Sequence, residues 1–339
     1  MNIKADALPA ISIIVPVYNV ADYIVESLDS LAKQEFNGTF EVILVDDCSP
    51  DNSKQLCEDF VAAHPHLARL IALPKNQGVA VARNTGLAAA TGEYFAFFDP
   101  DDLMPKDALQ HLYNAAITHQ ADIVKGNNIV FNEQRSFAPD YNVDATKIYV
   151  DDAILSTYFE HKDTRGHPWG KLFRRALFDG VLFTPGVLMA EDILFCAEAF
   201  ARAKKLVFIT DTVYEYRLRQ TSSTGKKFET GVYLWWLYGV ENSGNFVSTP
   251  NQNAHFKGLQ ILTLLQIVRE ARALDGSLLA DVLTELHSRE RKWQLNPLNL
   301  VFKFRVTRDA LVHFTKYKYT LTKLDYRALR YKGTLKTAQ

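Results

Sequence analysis

The chain has 339 residues, of which 47% are hydrophobic and 23% are charged, and its formal net charge is −1. This ordinary globular composition argues against a disordered or fibrous protein, and the length predicts a main domain with an appended piece. Because the sequence contains neither a charge-free apolar run of about 18 residues nor a signal-peptide pattern, we expect no membrane span and no export.

The cysteines and the charge distribution bear on where the protein works. Cys48, Cys57 and Cys196 have neither zinc-site spacing nor the even number of a disulfide framework, which predicts buried thiols in a reducing, cytosolic setting. Residues 289–339 contain 13 Lys and Arg against 3 Asp and Glu, so this tail carries a charge of +10 and the rest of the chain −11. The tail is therefore expected to differ in role from the body.

The first part of the chain alternates short apolar runs with helix-like segments. This alternation is typical of an α/β fold in which helices cover a mostly parallel sheet. The predicted strands are Ile11 to Val17, Phe40 to Val45, Leu67 to Leu73, Tyr94 to Phe98 and Asp122 to Val130. The predicted helices are Asp22 to Phe36, Ser53 to Ala63, Asn76 to Ala90 and Pro105 to His119.

After these elements the pattern is less regular. Residues 133–147 are predicted as loops, and helices follow between Tyr149 and Ala203 around an exposed segment, His167 to Lys171. Two short strands are then predicted, at Leu206 to Thr210 and at Val213 to Arg217.

A domain boundary is predicted near residue 225. From Lys227 onward the chain is mostly helical in its periodicity, and Leu259 to Leu274 is strongly amphipathic. The sequence therefore predicts one domain over residues 1–225 and a helical C-terminal region over residues 226–339.

Segments that contain polar residues lie at the ends of four of the predicted strands. They are Pro16-Val17-Tyr18-Asn19, Asp46-Asp47, Asn76-Gln77-Gly78 and Asp99-Pro100-Asp101-Asp102. In an open α/β sheet, ligands bind at the carboxyl ends of the strands. The sequence therefore predicts a ligand site at this edge of the sheet.

Asp99, Asp101 and Asp102 place three carboxylates within four residues, directly after an apolar strand. These charges repel one another unless a cation or water relieves them, and Mg²⁺ or Mn²⁺ held between carboxylates and substrate phosphates would do so. The alternative is a solvated turn that caps the helix starting near Pro105. Because a buried strand ends at these carboxylates and so places them at the edge of the sheet, the metal site is favoured over the solvated turn.

Asp46 and Arg83 are further candidates at the same edge. The Asp46 carboxylate suits a ring nitrogen of a nucleobase, and an Asx-turn before Asn52 explains it equally well. Arg83 lies on a helix of small residues, from which it could reach a phosphate or a carboxylate such as Asp101. A plain surface arginine is the alternative.

Two later groups could take part in chemistry. Glu191 and Asp192 lie between apolar segments, where a carboxylate can have a raised pKa and accept a proton from a hydroxyl. Capping of a helix explains them equally well. Arg217, Arg219 and Ser222 form a cationic patch that could neutralise a diphosphate, with a solvated loop as the alternative.

Seven motifs occur together along the chain: ISIIVPVYN, VDDCSPDNS, NQGVAVARNTG, the strand into DPDD, WGKLFRR, MAEDILF and YRLRQTSS. In this order and approximate spacing they resemble family 2 glycosyltransferases of the GT-A fold, of the bacterial surface-glycan type, over roughly residues 10 to 225. The resemblance implies a Rossmann-like sheet with helices on both faces, a UDP-sugar donor and inversion at the anomeric carbon. Cys48 is a departure, because the family often has Gly or Ser there.

The resemblance also implies roles for single residues. Asp192 would be the general base, with Glu191 as the second candidate, and Asp101 with Asp99 would hold Mn²⁺ or Mg²⁺. Trp169 and Lys171 would border the acceptor site. The donor would be bound by Pro16, Val17, Asn19, Asp46, Asn76, Arg83, Asp99, Asp101, Arg217, Arg219 and Ser222.

The sequence thus predicts an enzyme that moves a hexose or N-acetylhexosamine from a UDP-sugar to a hydroxyl of a growing glycan. An inactive relative that serves as a scaffold subunit is the main alternative, and its mark would be a broken motif, which this sequence does not have. A nucleotidyltransferase would need a Gly-rich basic loop near the first strand, and a dinucleotide oxidoreductase would need G-x-G-x-x-G there. The chain has PVYN at that position.

The tail at residues 289–339 mixes its basic residues with aromatic ones. This composition suits an anionic membrane surface, to which each basic residue contributes about 1 kcal/mol. Nucleic acid and a packed helical cap are alternatives, and the lipid-linked acceptors of related transferases favour the membrane. We therefore expect a cytoplasmic protein at the inner face of the cell membrane, without a nucleic-acid partner; an oligomer stays possible.

Overall fold

The computed structural model describes residues 8–132, 137–140, 142–160, 166–187, 190–219 and 232–271. The chain divides into two compact units, the first formed by residues 1–158 and 162–226 and the second by residues 159–161 and 227–339. The predictions made for Ser222 and for residues 289–339 lie outside the described residues.

The first unit is built around one sheet, which has nine strands in the described part of the chain. They lie in the order β3-β2-β1-β4-β8-β5-β9-β7, with β6 paired to β5. The strands are β1 (Ile11–Val17), β2 (Phe40–Asp46), β3 (Ala68–Ala72), β4 (Tyr94–Phe97), β5 (Ile123–Phe131), β6 (Phe137–Asp140), β7 (Lys147–Val150), β8 (Lys171–Arg174) and β9 (Lys205–Arg217).

The strands β3, β2, β1 and β4 run parallel to one another. All seven residues of β1 are buried, which accounts for its β-branched run, because a central parallel strand is covered on both faces. The chain moves outward from β1 to β3 and then returns to the other side of β1 as β4. The strand order therefore reverses between β1 and β4, which is where ligands bind in open α/β sheets.

The remaining strands make the sheet mixed. Strand β8 pairs antiparallel with both β4 and β5, β5 pairs parallel with β9, and β7 closes the edge antiparallel to β9. The predicted α/β fold is confirmed, and the antiparallel insertion of β8 is an addition to it.

The helices of the first unit are α1 (Ala21–Ala32), α2 (Ser53–Ala63), α3 (Val79–Ala89), α4 (Ala108–His119), α5 (Asp152–Glu160) and α6 (Glu191–Arg202). Alternate residues of β1 pack on α1 and α4 in one apolar core, as a period of two requires. Helix α3 packs on β1, where Gly86 leaves room for the buried side chain of Ile14.

Three local predictions are wrong. The two strands predicted on either side of Asp211 are the single strand β9, because its pairing with β5 continues through register shifts between Lys125 and Asn128. The region predicted as loops, residues 133–147, contains β6 and the first residue of β7. Cys57 and Cys196 are buried as predicted, but Cys48 is exposed.

The segment from His167 to Lys171 was predicted to be exposed, and this prediction is also wrong. Trp169 is 7% exposed and Lys171 is 2% exposed. Trp169 forms a bridge with Phe97 of β4, and Lys171 opens β8. The segment is buried because it enters the sheet between β4 and β5.

The described part of the second unit is helical. It contains α7 (Val232–Ser243) and α8 (Pro250–Ala271). Within this unit, Phe159 lies 5.3 Å from Phe256 between ring centroids, and Glu160 Oε1 lies 3.0 Å from His255 Nδ1. Among the helices that the structure describes, none has the length and apolar character that crossing a membrane requires.

Candidate active site

The acidic cluster lies directly after β4, at the edge of the sheet predicted from the sequence. Its three carboxylates have different surroundings, since Asp99 and Asp101 are partly exposed whereas Asp102 is completely buried. The cluster therefore presents two carboxylates outward and keeps one inside.

Asp102 is a structural carboxylate. It accepts hydrogen bonds from the Tyr214 hydroxyl (2.7 Å) and from the backbone N–H of Arg217 (2.7 Å), and both residues lie on β9. Burial and the charges of Asp101 and Asp99 hold the pKa of Asp102 well above its usual value. Asp102 thus joins the end of β4 to β9 and does not face a ligand.

Asp99 and Asp101 each pair with one arginine. Asp99 Oδ1 lies 3.1 Å from Arg83 Nη2, and Asp101 Oδ2 lies 2.5 Å from Arg219 Nη2. Burial and the neighbouring charge of Asp99 raise the pKa of Asp101, although Arg219 opposes this change.

Arg83 links the acidic cluster to the second carboxylate pair. Its Nη1 lies 3.0 Å from Glu191 Oε1 while its Nη2 contacts Asp99, and its guanidinium lies 5.1 Å from the centroid of the Phe183 ring. Burial disfavours the charged form, but the nearby carboxylates outweigh this effect and raise the pKa of Arg83. Arg83 therefore reaches carboxylates as predicted, although these are Asp99 and Glu191 rather than Asp101, and the alternative of a plain surface arginine is wrong.

Glu191 and Asp192 are the first two residues of α6, whose N-cap residue is Ala190 and has no side-chain capping hydrogen bond. Glu191 is 8% exposed, and burial together with the charge of Asp192 raises its pKa to about 7 against the opposing effect of Arg83. Asp192 is more exposed, with 25% of its side chain accessible. Asp192 Oδ1 accepts the backbone N–H of Ile193 at 2.8 Å, and its Oδ2 lies 3.6 Å from His167 Nδ1.

A stack of aromatic rings connects Asp192 with the acidic cluster. The Trp169 ring lies between the rings of His167 (4.8 Å between centroids) and Tyr214 (4.6 Å), each within 12° of parallel. The Tyr214 hydroxyl binds Asp102 and also accepts the backbone N–H of Asp99 at 3.1 Å. Trp169 therefore occupies the space between the two carboxylate groups as part of the structure.

Lys171 lies behind this stack. Its ammonium donates to the backbone carbonyl of His167, and burial lowers the pKa of Lys171 although Cys196 and Asp192 oppose this change. A side chain that is 2% exposed does not border a binding surface. The acceptor-side prediction for Lys171 is corrected accordingly, because β8 places its side chain inside the protein.

The predicted nucleotide side is formed by the ends of β1 and β2 and by the loop before α3. Pro16 and Val17 are buried within β1, while Asn19 and Asn76 are exposed in the loops that follow β1 and β3. Asp46 is 1% exposed and accepts the backbone N–H of Ser49 (3.3 Å), as its Asx-turn interpretation predicts.

Left-handed backbone conformations occur at two non-glycine residues of this edge. Asn19 has a φ of 55° and Cys48 a φ of 58°. Because glycine adopts this conformation at no steric cost, the frequent Gly of the family at the position of Cys48 has a physical explanation.

Arg217 is held inside the protein rather than presented to a diphosphate. Its Nε donates to the Asp101 carbonyl (2.7 Å), its Nη2 lies 2.7 Å from Glu26 Oε2, and its guanidinium stacks on Phe131 at 4.6 Å. With 7% exposure it supports the backbone of the acidic cluster. The donor-binding prediction for Arg217 is therefore corrected to a structural one. Of Arg217 and Arg219, it is Arg219 whose guanidinium pairs with a carboxylate side chain of the cluster.

Sequence reasoning missed three residues of the site. Asp47 accepts the backbone N–H groups of Gln77 and Gly78 (2.8 and 2.7 Å) and so holds the loop that leads to α3. Tyr214 and His167 connect the carboxylates as described above. The pairing of Asp47 had no local signal in the sequence, since its partners lie 30 and 31 residues further along the chain.

A family model described as glycosyl transferase family 2 matches residues 12–182, which is just over half of the chain. The chain belongs to glycosyl transferase family 2. The matched range contains β1 to β4 and the acidic cluster, so the resemblance inferred from the motifs is confirmed.

One curated relative shows how much of a longer protein this chain corresponds to. Glycosyltransferase GlyA of Streptococcus pneumoniae is 32% identical over 219 residues, which is 62% of this chain and 31% of GlyA. This family 2 chain therefore spans about a third of the length of that relative.

Two solved structures share the fold. S. aureus TarS 1–349 in complex with UDP-GlcNAc has a TM-score of 0.54 at 24% identity, covering 93% of this chain and 81% of that one. The mannosyltransferase PcManGT from Pyrobaculum calidifontis, in complex with GDP-Man and Mn²⁺, has a TM-score of 0.50 at 18% identity, covering 91% and 87%. At these identities the likeness concerns the fold alone.

Proposed function

We propose that this chain is an inverting glycosyltransferase that moves a hexose or N-acetylhexosamine from a UDP-sugar to a hydroxyl of a growing surface glycan. One observation carries the proposal. A single buried guanidinium, that of Arg83, binds Asp99 of the acidic cluster and Glu191 of the Glu191-Asp192 pair. The donor carboxylates and the candidate base, which are far apart in the sequence, are thereby neighbours at the carboxyl edge of the sheet.

Two observations support UDP as the nucleotide of the donor: the family to which the chain belongs, and the residues at the carboxyl ends of three strands. Asp46, Asn19 and Asn76 lie at the ends of β2, β1 and β3, where a nucleoside would contact the sheet. TarS, which shares the fold, was solved with UDP-GlcNAc. Asp46 accepts the backbone N–H of Ser49 in its own turn, and its carboxylate would also accept a ring N–H of the base.

A divalent cation fits the residues that are present. Asp99 and Asp101 are partly exposed carboxylates directly after β4, and because burial and the charge of Asp99 raise the pKa of Asp101, added positive charge would be favourable there. Among the described residues no three His, Cys, Asp or Glu side chains form a metal site, so phosphate oxygens would complete the shell. Asp101 and Asp99 would hold Mn²⁺ or Mg²⁺, which supplies positive charge to the departing diphosphate.

The structure favours Asp192 over Glu191 as the general base. Glu191 is engaged by Arg83, whereas Asp192 keeps a quarter of its side chain accessible at the site. Asp192 takes the proton of the acceptor hydroxyl as that oxygen bonds to the anomeric carbon. The bond from this carbon to the diphosphate breaks at the same time, and UDP leaves with the electron pair. Arg219, next to Asp101, is placed to stabilise the developing negative charge.

The location is proposed from the tail. We place the protein in the cytoplasm at the inner face of the membrane, through contact of residues 289–339 with anionic lipid. The basic and aromatic composition of these residues supports this location.

Two substitutions test the transferase function. Asp192→Asn keeps the shape of the side chain but cannot take the proton, so transfer should fall by on the order of 100-fold or more while UDP still binds. Asp101→Ala should weaken UDP binding in the presence of Mn²⁺. Sugar transfer is measured across a panel of UDP-, GDP- and dTDP-sugars with and without Mn²⁺, and Asp59→Asn, exposed on α2, is the control.

The outcomes separate the alternatives. If wild type binds UDP but transfers no sugar to any glycan acceptor, the scaffold alternative replaces the enzyme. Full activity in both variants would reject the assigned roles.

A further inference from the structure

We propose that His167 is a positioning residue that orients the Asp192 carboxylate, an inference that rests on the proposed role of Asp192 as the base. The His167 Nδ1 atom lies 3.6 Å from Asp192 Oδ2, the oxygen that the backbone of α6 does not hold. This distance is a close polar contact rather than a formed hydrogen bond, and a proton on Nδ1 gives the ring a donor on this nitrogen whether the imidazole is neutral or charged. One carboxylate oxygen is thus fixed by Ile193 and the other faces His167.

The surroundings of His167 hold its ring in place. One face of the imidazole stacks on Trp169 at 4.8 Å and 7°, and Trp169 is itself stacked on the buried ring of Tyr214. The backbone carbonyl of His167 accepts the buried Lys171 ammonium. Both the ring and the backbone of this residue are therefore anchored to the sheet.

The contact between His167 and Asp192 differs from an incidental surface contact because buried residues support it. A third of the His167 side chain is accessible, which leaves it at the site surface beside a carboxylate that is 25% accessible. Trp169 and Lys171 are 7% and 2% exposed, so rigid and buried groups support a partly exposed pair. A base that is already held in one orientation loses less conformational entropy when it contacts the acceptor hydroxyl, which lowers the barrier to transfer.

The test compares two substitutions of similar size. His167→Asn keeps an N–H close to the position of Nδ1, whereas His167→Leu removes it. We expect His167→Leu to lower kcat by on the order of 10- to 100-fold with the KM for the UDP-sugar changed by less than about threefold. We expect His167→Asn to keep kcat within about threefold of wild type, a rescue that loss of packing alone would not give.

His111 offers a matched control. Its Nδ1 lies 3.2 Å from Asp211 Oδ1 and its Nε2 lies 3.2 Å from Asp107 Oδ2, so it is also a partly exposed histidine beside carboxylates, but on α4. His111→Leu should leave both kcat and KM unchanged.

A second measurement does not depend on transfer. Labelling of Asp192 by a water-soluble carbodiimide with an amine, read by mass spectrometry, should increase in His167→Leu and not in His167→Asn. If wild type transfers sugar and His167→Leu changes neither kcat nor labelling, the inference is overturned. If labelling responds as expected but wild type transfers no sugar, the contact stands and the proposed function fails.

Discussion

Glu191 is a buried carboxyl group whose pKa is raised to about 7. Its pKa in the unfolded chain is near 4.5, so between these values the folded protein binds a proton that the unfolded chain has released. The free energy of unfolding therefore falls as pH rises from about 4.5 to about 7. The group contributes no further pH dependence above or below this window.

The substitution Glu191→Gln isolates this effect. Gln carries no titrating charge, so the variant lacks this loss of stability. The free energy of unfolding of the variant minus that of wild type should therefore rise by up to about 3 kcal/mol from pH 5 to pH 8. Urea unfolding at both pH values measures the difference. Glu58→Gln, exposed on α2, is the control, and an equal pH dependence of Glu191→Gln and wild type would contradict the assignment.

Single-residue roles at this site depended on contacts that sequence patterns do not contain. Arg217 and Arg219 have the same chemistry two positions apart, yet one supports the backbone of Asp101 and the other pairs with its side chain. Residues two apart in a strand point to the same face, but β9 ends at Arg217 and Arg219 lies beyond it, so the strand pattern does not determine where the Arg219 side chain lies. The acidic cluster and the Glu191-Asp192 pair, in contrast, were found because their neighbours in the sequence are apolar.

At the level of elements, the position of Arg83 depends on how closely α3 packs on β1. A methyl group at Gly86 would fall well inside van der Waals contact of Ile14 Cγ2, and Ile14 is completely buried. Helix α3 carries Arg83 one turn earlier, so any shift of the helix moves the guanidinium. Tight packing of two elements thus sets the geometry of the ion pairs.

Gly86→Ala should destabilise the protein by about 1–3 kcal/mol, because the added methyl group overpacks the contact between α3 and β1. It should also weaken UDP binding through Arg83. Gly258→Ala is the matched control, since Gly258 also lies within a helix but has open space where its methyl group would lie. That control should be neutral or stabilising by up to about 1 kcal/mol. Thermal unfolding and UDP titration of both variants measure these effects, and equal stabilities would contradict the packing argument.

The elements themselves were predictable to different degrees. The bounds predicted for β1 and α2 match the structure, because a β-branched run and a helical period each give a clear signal. Strand β8 was missed, since it has only four residues and starts with Lys171. Its place between β4 and β5 is a long-range pairing that no local period encodes, and the burial of Trp169 follows from that pairing alone.

At the scale of the whole molecule, the tail at residues 289–339 is predicted to bind anionic membranes. Full-length protein should float with vesicles that contain phosphatidylserine or phosphatidylglycerol, and a variant ending at residue 288 should not. The bound fraction should fall as NaCl rises from about 0.1 to about 0.5 M, because salt screens charges at the surface.

Neutral phosphatidylcholine vesicles are the control for this experiment. Equal flotation of the full-length and shortened proteins would reject the membrane role of the tail. Binding of the tail to RNA or DNA in place of vesicles would favour the nucleic-acid alternative.

The shared guanidinium of Arg83 also limits the order in which this site can change during evolution. Losing Arg83 first would leave the buried Glu191 and the partly exposed Asp99 without their common counter-charge, which is unfavourable above all for the buried group. Losing Glu191 first leaves Arg83 still paired with Asp99. Substitutions at these three positions are therefore not independent, and a descendant that has lost Arg83 is expected to have replaced Glu191 beforehand. Family members that lack the arginine should then also lack the glutamate, whereas some members that lack the glutamate should keep the arginine.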